Sequence, residues 1–321
     1  MKTIKLKPKK EESILRHHPW VFSGAIATLP NDLEEGELVK VLSADGRALG
    51  IGHFQIGSIA VRLLQFGDRD FPEDFFRQRL DAAFRLRQAL GLIRPDNNCY
   101  RLVHGEGDFL PGLVIDIYGD TAVLQAHSPG MHYERMRIAR ALTEIPEARI
   151  RNVYYKSETT LPYKARLDPQ NDYLIGKFDG NIAIENGLKF NIDWLKGQKT
   201  GFFVDQRENR ALLEKFAHGR NVLNMFCYTG GFSVYAMRGG AAQVDSVDSS
   251  AKAAALTDAN IELNFPGDPR HKTHAVDAFK FLADMEKDKY DLIILDPPAF
   301  AKHRSALKNG LIGYRKLNAK A

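Results

Sequence analysis

The stretch Asn221-Val222-Leu223-Asn224-Met225-Phe226-Cys227-Tyr228-Thr229-Gly230-Gly231 is a short apolar run that empties into a small, flexible turn. A strand followed by such a turn lets a ligand approach the backbone and the N-terminus of the next helix. About twenty residues on, Val244-Asp245-Ser246-Val247-Asp248 ends a second strand on a carboxylate, where a doubly wound sheet places the group that grips ribose hydroxyls. Thr273-His274-Ala275-Val276 delivers Asp277 to a third strand end, and Leu292-Ile293-Ile294-Leu295 delivers Asp296-Pro297-Pro298-Ala299-Phe300 to a fourth. The run from 221 to 300 therefore points to a nucleoside-containing cofactor with a transferase site beside it.

Outward from this run the pattern sorts into three parts. From about residue 190 it alternates as helix 206–217, strand 221–226, helix 230–238, strand 243–247, helix 250–263, strand 273–276, helix 277–286 and strand 291–296. That is the signature of an α/β, Rossmann-like, doubly wound parallel sheet. Upstream, a helix over 73–90, a hairpin of 113–118 with 122–126, a helix over 133–142, a strand at 152–156 and a second hairpin around Asn186-Gly187 read as an α+β module. The first part is all-β, with strand-like runs at 38–42, 48–54 and 59–64 and a hairpin signal at Asp45-Gly46. The expected boundaries are 1–71 for a β-barrel, 72–187 for a central α+β domain and 188–321 for the doubly wound domain.

Composition narrows the class without naming it. The 321 residues are 44% hydrophobic and 26% charged, ordinary for a globular protein with room for two or three domains. No apolar run approaches the roughly 20 residues of a membrane span, and the lysine-rich start lacks an apolar signal core. A cytoplasmic location is expected, and a homodimer is one assembly the sequence allows. Cys99 and Cys227 lack metal-ligand spacing, and neither His17-His18 nor His271 with His274 has a suitably spaced third ligand. No metal is expected. The net charge is +5, with six Lys/Arg in residues 1–20 and six in 301–321. Two basic ends on a mildly acidic body suit phosphate contact, or the first is a solvated lysine arm.

The chemistry concentrates at the strand ends. A single terminal Asp is often only a helix N-cap, but Asp248, Asp277 and Asp296 all fall where a doubly wound sheet binds ligands. In Asp296-Pro297-Pro298-Ala299-Phe300 two prolines fix an extended turn without backbone donors. Such a turn can aim carbonyls and a carboxylate at a planar base, with Phe300 placed to stack on it. Cys227 and Cys99 read as small packed residues.

At these residues the chain resembles the class I S-adenosylmethionine-dependent methyltransferases. Gly197-Gln198-Lys199-Thr200-Gly201-Phe202-Phe203-Val204-Asp205-Gln206-Arg207, Asn224 to Phe232 and Asp296 to Phe300 are similar to the RlmI-type 23S ribosomal RNA large-subunit methyltransferases. Leu15 to Phe22 and Tyr100 to Leu113 are similar to that family's PUA and central domains. The resemblance implies S-adenosylmethionine as cofactor and large-subunit ribosomal RNA as partner. It implies that Phe226, Tyr228, Thr229 and Gly230 line the methionine end, that Asp248 binds ribose and that Asp277 meets the adenine amino group. Thr200, Ser249, Ala278 and Asp296 complete the cofactor set. Lys7, Arg16, Trp20 and Phe300 are the expected RNA contacts.

The implied reaction is methylation of cytosine carbon 5. That carbon is a poor nucleophile, so the chemistry needs a thiolate adding at carbon 6 and an acid at ring nitrogen 3. Asp296, with Pro297, fits the acid role. The family's nucleophilic cysteine belongs to a motif after the next strand, so it is expected beyond residue 321, in a longer protein of roughly 390 residues. The strand at 291–296 is then expected to be an open apolar edge. Methylation of guanine or an exocyclic amine, which needs no cysteine, is the alternative reaction. A non-catalytic RNA-binding fragment is the alternative of a different class.

Overall fold

Lys2–Leu6 alternates exposed and buried positions, with Ile4 and Leu6 fully inside. Period-two burial makes it a strand, β1, and not a solvated arm. It pairs parallel with β4 (Leu38–Leu42) and antiparallel with β3 (Ile26–Thr28). Its lysines point outward because its aliphatic residues hold the core. A short helix, α1 (Glu12–Leu15), and β2 (Trp20–Phe22) lie between β1 and β3 in sequence. The computed structural model describes residues 1–162, 166–301 and 303–321, so Lys302 of the basic C-terminal run lies outside the described residues.

With β5 (Ala48–Phe54) and β6 (Ile59–Phe66) the first sheet has the order β2-β6-β5-β4-β1-β3. Its edge strands β2 and β3 are separated in sequence only by Ser23–Ala25. A flat sheet of this width would hold its edges about 24 Å apart, whereas this link reaches at most about 14 Å. The sheet must therefore curl into the barrel-like form expected of residues 1–71.

A second sheet follows, ordered β11-β10-β9-β8-β7. Its strands are β7 (Cys99–His104), β8 (Leu113–Tyr118), β9 (Thr121–Ala126), β10 (Asn152–Tyr155) and β11 (Asp172–Ile175). Helices α2 (Phe75–Ala89) and α4 (Arg135–Thr143) contribute Phe76, Leu80, Phe84, Ile138 and Leu142 to its core. The expected helix over 133–142 corresponds to α4, preceded by a separate short helix that ends at Tyr133. Ser128 caps α3 (Pro129–Tyr133), with proline at its first turn, and α4 starts after Glu134.

Two compact units result: Met1–Asn181 with Asp193–Gly201, and Ile182–Ile192 with Phe202–Ala321. In the second unit the hairpin β12 (Ile182–Glu185) and β13 (Leu188–Asn191) accompanies four parallel strands. These are β14 (Asn221–Met225), β15 (Gln243–Asp248), β16 (His271–Ala275) and β17 (Leu292–Leu295), in the order β16-β15-β14-β17. Helices α5 (Arg207–Phe216), α6 (Gly231–Arg238), α7 (Ala251–Asn264) and α8 (Ala278–Asp284) alternate with them, and α9 (Leu307–Lys320) follows. Leu223, Met225, Val247, Leu282 and Leu317 share its core. β17 has one partner strand, β14, among the described residues, so it is the expected edge. Among the described residues no helix is long and apolar enough to cross a membrane.

Candidate cofactor and transfer site

Strand order creates the site. β15 and β16 lie on one side of β14 and β17 on the other, so the order reverses between β14 and β17. A crevice at the C-terminal ends of strands, at such a reversal, is where doubly wound sheets bind ligands. Met225 pairs with Leu295, so Phe226 and Asp296, seventy positions apart in sequence, leave the sheet side by side. Asp248 and Asp277 follow at the ends of β15 and β16.

The turn after β14 is wound tightly. Phe226, Tyr228 and Gly230 all have left-handed backbones, with φ of 58°, 48° and 72°. Two of them are bulky residues in a region that disfavours side chains, and such strain clusters at binding sites. Its supports are explicit. Asp248 accepts the Tyr228 N–H at 3.1 Å on one oxygen and the Ser250 N–H at 2.9 Å on the other. From α7, Thr257 donates to the Tyr228 carbonyl at 3.1 Å and Asn260 to the Thr229 carbonyl at 2.8 Å. Thr257 and Asn260 are fully buried. Sequence reasoning missed both, although two polar residues three apart on an alanine-rich helix were the available signal.

Asp248 fits a ribose. A carboxylate has about four lone-pair sites, and two backbone donors leave the rest for hydroxyls. It is half-buried, so it is held in place without being sealed off. Ser249 beside it is exposed. Asp277 is exposed and caps α8 by accepting the Lys280 N–H at 3.1 Å, while Ala278 is buried in the core of this unit.

Asp296 carries a perturbed carboxyl. Partial burial, and then the neighbouring charge of Asp205, raise its pKa above the usual carboxylate value. Asp205 lies in the short helical turn Val204–Gln206, a third residue that sequence reasoning did not single out. Arg210 holds the start of that turn. Its guanidinium donates to the Phe203 carbonyl at 3.1 Å and pairs with buried Glu185 at 2.7 and 2.8 Å. Phe300 packs against Tyr314 at 4.6 Å between ring centroids and against Phe279 at 6.5 Å. The ring expected to stack on a base is engaged by α8 and α9.

Other candidates lie elsewhere. Thr200 belongs to the first unit, fully buried, donating to Asp116 at 2.5 Å beside the Tyr118 hydroxyl at 3.0 Å. Lys7 donates to the Gly24 carbonyl at 2.9 Å, Arg16 pairs with Glu12, and Trp20 donates from Nε1 to Glu106 at 2.7 Å. Cys227 is buried against Thr257, and burial pushes its thiol up to about 12, so it is protonated at neutral pH. Cys99 is buried in β7. His271 contacts Ser246 at 2.8 Å and His274 contacts Asp245 at 2.8 Å, both from β16 to β15.

A parallel sheet with a strained, braced turn and a ribose-ready carboxylate at its switch point defines a nucleoside-cofactor transferase. The family model for S-adenosylmethionine-dependent methyltransferases matches residues 101–318, and that for PUA-like domains matches residues 4–66. The chain belongs to the S-adenosylmethionine-dependent methyltransferases, and S-adenosylmethionine is its cofactor. It is 37% identical over 324 residues to the Ribosomal RNA large subunit methyltransferase I of Tolumonas auensis, covering 98% of this chain and 81% of that protein. To the protein of the same name from Shewanella amazonensis it is 39% identical over 323 residues, covering 98% and 80%. The solved structure of SMU.776, assigned as a methyltransferase and complexed with SAH, aligns with a TM-score of 0.78 and 25% identity over 95% of this chain and 78% of that one.

Proposed function

We propose that the protein transfers a methyl group to large-subunit ribosomal RNA in the cytoplasm, at carbon 5 of a cytosine. The observation that carries the substrate class is the 37–39% identity, along 98% of the chain, to relatives named Ribosomal RNA large subunit methyltransferase I. When bound, S-adenosylmethionine supplies an electrophilic methyl group on a sulfonium. Asp248 holds the ribose through its remaining lone pairs, and the turn from Phe226 to Gly230 lies along the methionine end. Asp277 sits at the strand end that would face the adenine. Asp296, its pKa raised by partial burial and by Asp205, keeps a proton more readily than an ordinary carboxyl and can donate it in a hydrogen bond to cytosine nitrogen 3.

Carbon-5 methylation also needs a thiolate at carbon 6. Cys227, protonated and packed on Thr257, does not supply one, nor does Cys99 buried in a different unit. The group that adds at carbon 6 is then neither of these two cysteines. The same observation supports a second reading, amine methylation, in which the Asp-Pro-Pro turn orients an exocyclic amine and no thiolate is needed. Incubating the protein with large-subunit ribosomal RNA and methyl-labelled S-adenosylmethionine, then digesting to nucleosides for mass spectrometry, separates the readings. Label in 5-methylcytidine is expected. Label confined to N-methyl nucleosides favours the second, and unlabelled RNA with bound cofactor sinks both.

A further inference from the structure

We infer that a cavity beside Trp20, centred on Arg62, is a phosphate-binding subsite for an RNA strand; its ligand class rests on the reading above. The cavity, of about 240 Å³, lies within the first unit between its two sheets. Arg62 of β6 lines one side, His104, Glu106 and Gly112 the other, with His127 at the end of β9.

The lining has unmet polar atoms. Nε and Nη1 of Arg62 and Nε2 of His127 are shut from bulk solvent and have no hydrogen-bond partner among the described residues. Each such atom has lost its bonds to water and is left unsatisfied unless a ligand or water completes it. Arg62 has a fixed position: its guanidinium lies 5.8 Å from the Trp20 ring centre, and Trp20 is tied in turn to Glu106. Glu106 is the acidic member of the lining, and that bond to Trp20 occupies one of its oxygens. Gly112, at φ +83°, keeps the wall open, because a Cβ there would stand 3.3 Å from Arg62 Nε and 2.8 Å from Ser128 Oγ.

The charges around the cavity are mixed: Arg62 and Lys199 are cationic, Arg101 is paired with Asp116, and Glu106 is acidic. Burial lowers the His127 pKa, and the cations Lys199, Arg101 and Arg62 lower it further against the opposing effect of Glu106. A guanidinium with unmet N–H groups complements the acceptor-only oxygens of a phosphate. The surroundings favour a strand over a free ion. Phe22 is 46% exposed, with its ring 6.3 Å from Trp20 and 6.4 Å from His18. Lys7 sits on the Gly24 carbonyl, two residues past Phe22. An exposed aromatic next to a cavity holding Arg62 offers a base a stacking surface and its neighbouring phosphate a charge.

Fluorescence anisotropy with a labelled single-stranded fragment of large-subunit ribosomal RNA, titrated with salt, tests this. Arg62→Gln should weaken binding about tenfold and lower the slope of log affinity against log salt by about 1. Arg62→Lys should restore the slope, and His127→Asn should weaken binding without changing it. S-adenosylmethionine affinity, read by calorimetry, should match wild type in all three. Wild-type RNA affinity and slope in both Arg62→Gln and His127→Asn would overturn the inference alone. So would inorganic phosphate binding that depends on Arg62 while RNA binding does not. A wild-type protein that binds the cofactor but no RNA would overturn the RNA reading, and this subsite with it.

Discussion

Replacing Gly230 with alanine isolates what the turn after β14 contributes to cofactor binding. Gly230 has φ +72°, and a Cβ there would lie 2.6 Å from Thr257 Cγ2 and 3.1 Å from both Thr257 Cβ and Oγ1. Thr257 cannot easily retreat: it is fully buried, and its hydroxyl holds the Tyr228 carbonyl at 3.1 Å and contacts Cys227 at 3.5 Å. An L-residue in the left-handed region costs about 1–2 kcal/mol, and forcing a methyl into a packed core about 1–3 kcal/mol. The turn should relieve part of this by shifting, which would draw the Tyr228 N–H from Asp248 and disturb the carboxylate proposed to hold the ribose. Gly230→Ala should therefore lower unfolding stability by about 2–4 kcal/mol. It should weaken S-adenosylmethionine binding at least about tenfold, the equivalent of about 1.4 kcal/mol. Denaturant unfolding and titration calorimetry read the two quantities. Thr257→Ser removes the clashing methyl and keeps the hydroxyl, so Gly230→Ala with Thr257→Ser should recover about 1–2 kcal/mol of the steric part. Gly230→Ala with wild-type stability and affinity, or a double variant showing no coupling, would refute the geometry.

Glu185→Gln should destabilise the second unit by about 3–5 kcal/mol, because it leaves the buried Arg210 guanidinium without its charge partner; a thermal melt within about 1 °C of wild type contradicts this. Cys227→Ser should keep methyl transfer within about threefold, since a thiol pushed up to about 12 is not the nucleophile. Loss of transfer with intact cofactor binding would show that it is. His53 is buried, its Nε2 has no partner among the described residues, and burial pulls its pKa down to about 4. The folded value lies below the unfolded one, so the unfolded chain takes up the proton first as pH falls. The stability tied to His53 should be fully present above about pH 6.5 and fall by about 3 kcal/mol toward pH 4. Urea midpoints across that range should show the slope in the wild type and lose it in His53→Leu.

Much of the second unit was legible because its signals are local. Apolar runs of strand length, small turn residues and terminal carboxylates are set by neighbours in sequence, and the alternation of helices and strands from 207 to 295 follows them. The misreadings have physical causes. The basic start was read as a phosphate contact or a solvated arm and not as a strand, although Ile4 and Leu6 already alternate with the polar positions as a half-buried strand requires. The third parallel strand runs over His271–Ala275 and not 273–276, because its extent is set by pairing with β15. For Phe300, expected to stack on a base, its packing on Tyr314 comes only from the tertiary structure.

By itself the sequence determined the alternating elements of the second unit, the nucleoside class of its cofactor and the carboxylates at its strand ends, because each depends on residues close together in the chain. The tertiary structure decided which of them meet. The order β16-β15-β14-β17 sets Asp296 beside Phe226. Folding of Val204–Gln206 under Arg210 brings the charge of Asp205 to bear on Asp296. Curling of the first sheet and packing on the second leave Arg62 and His127 facing one cavity. Pairing order, burial and the field of distant charges are sums over contacts between remote residues, and no window of the sequence contains them.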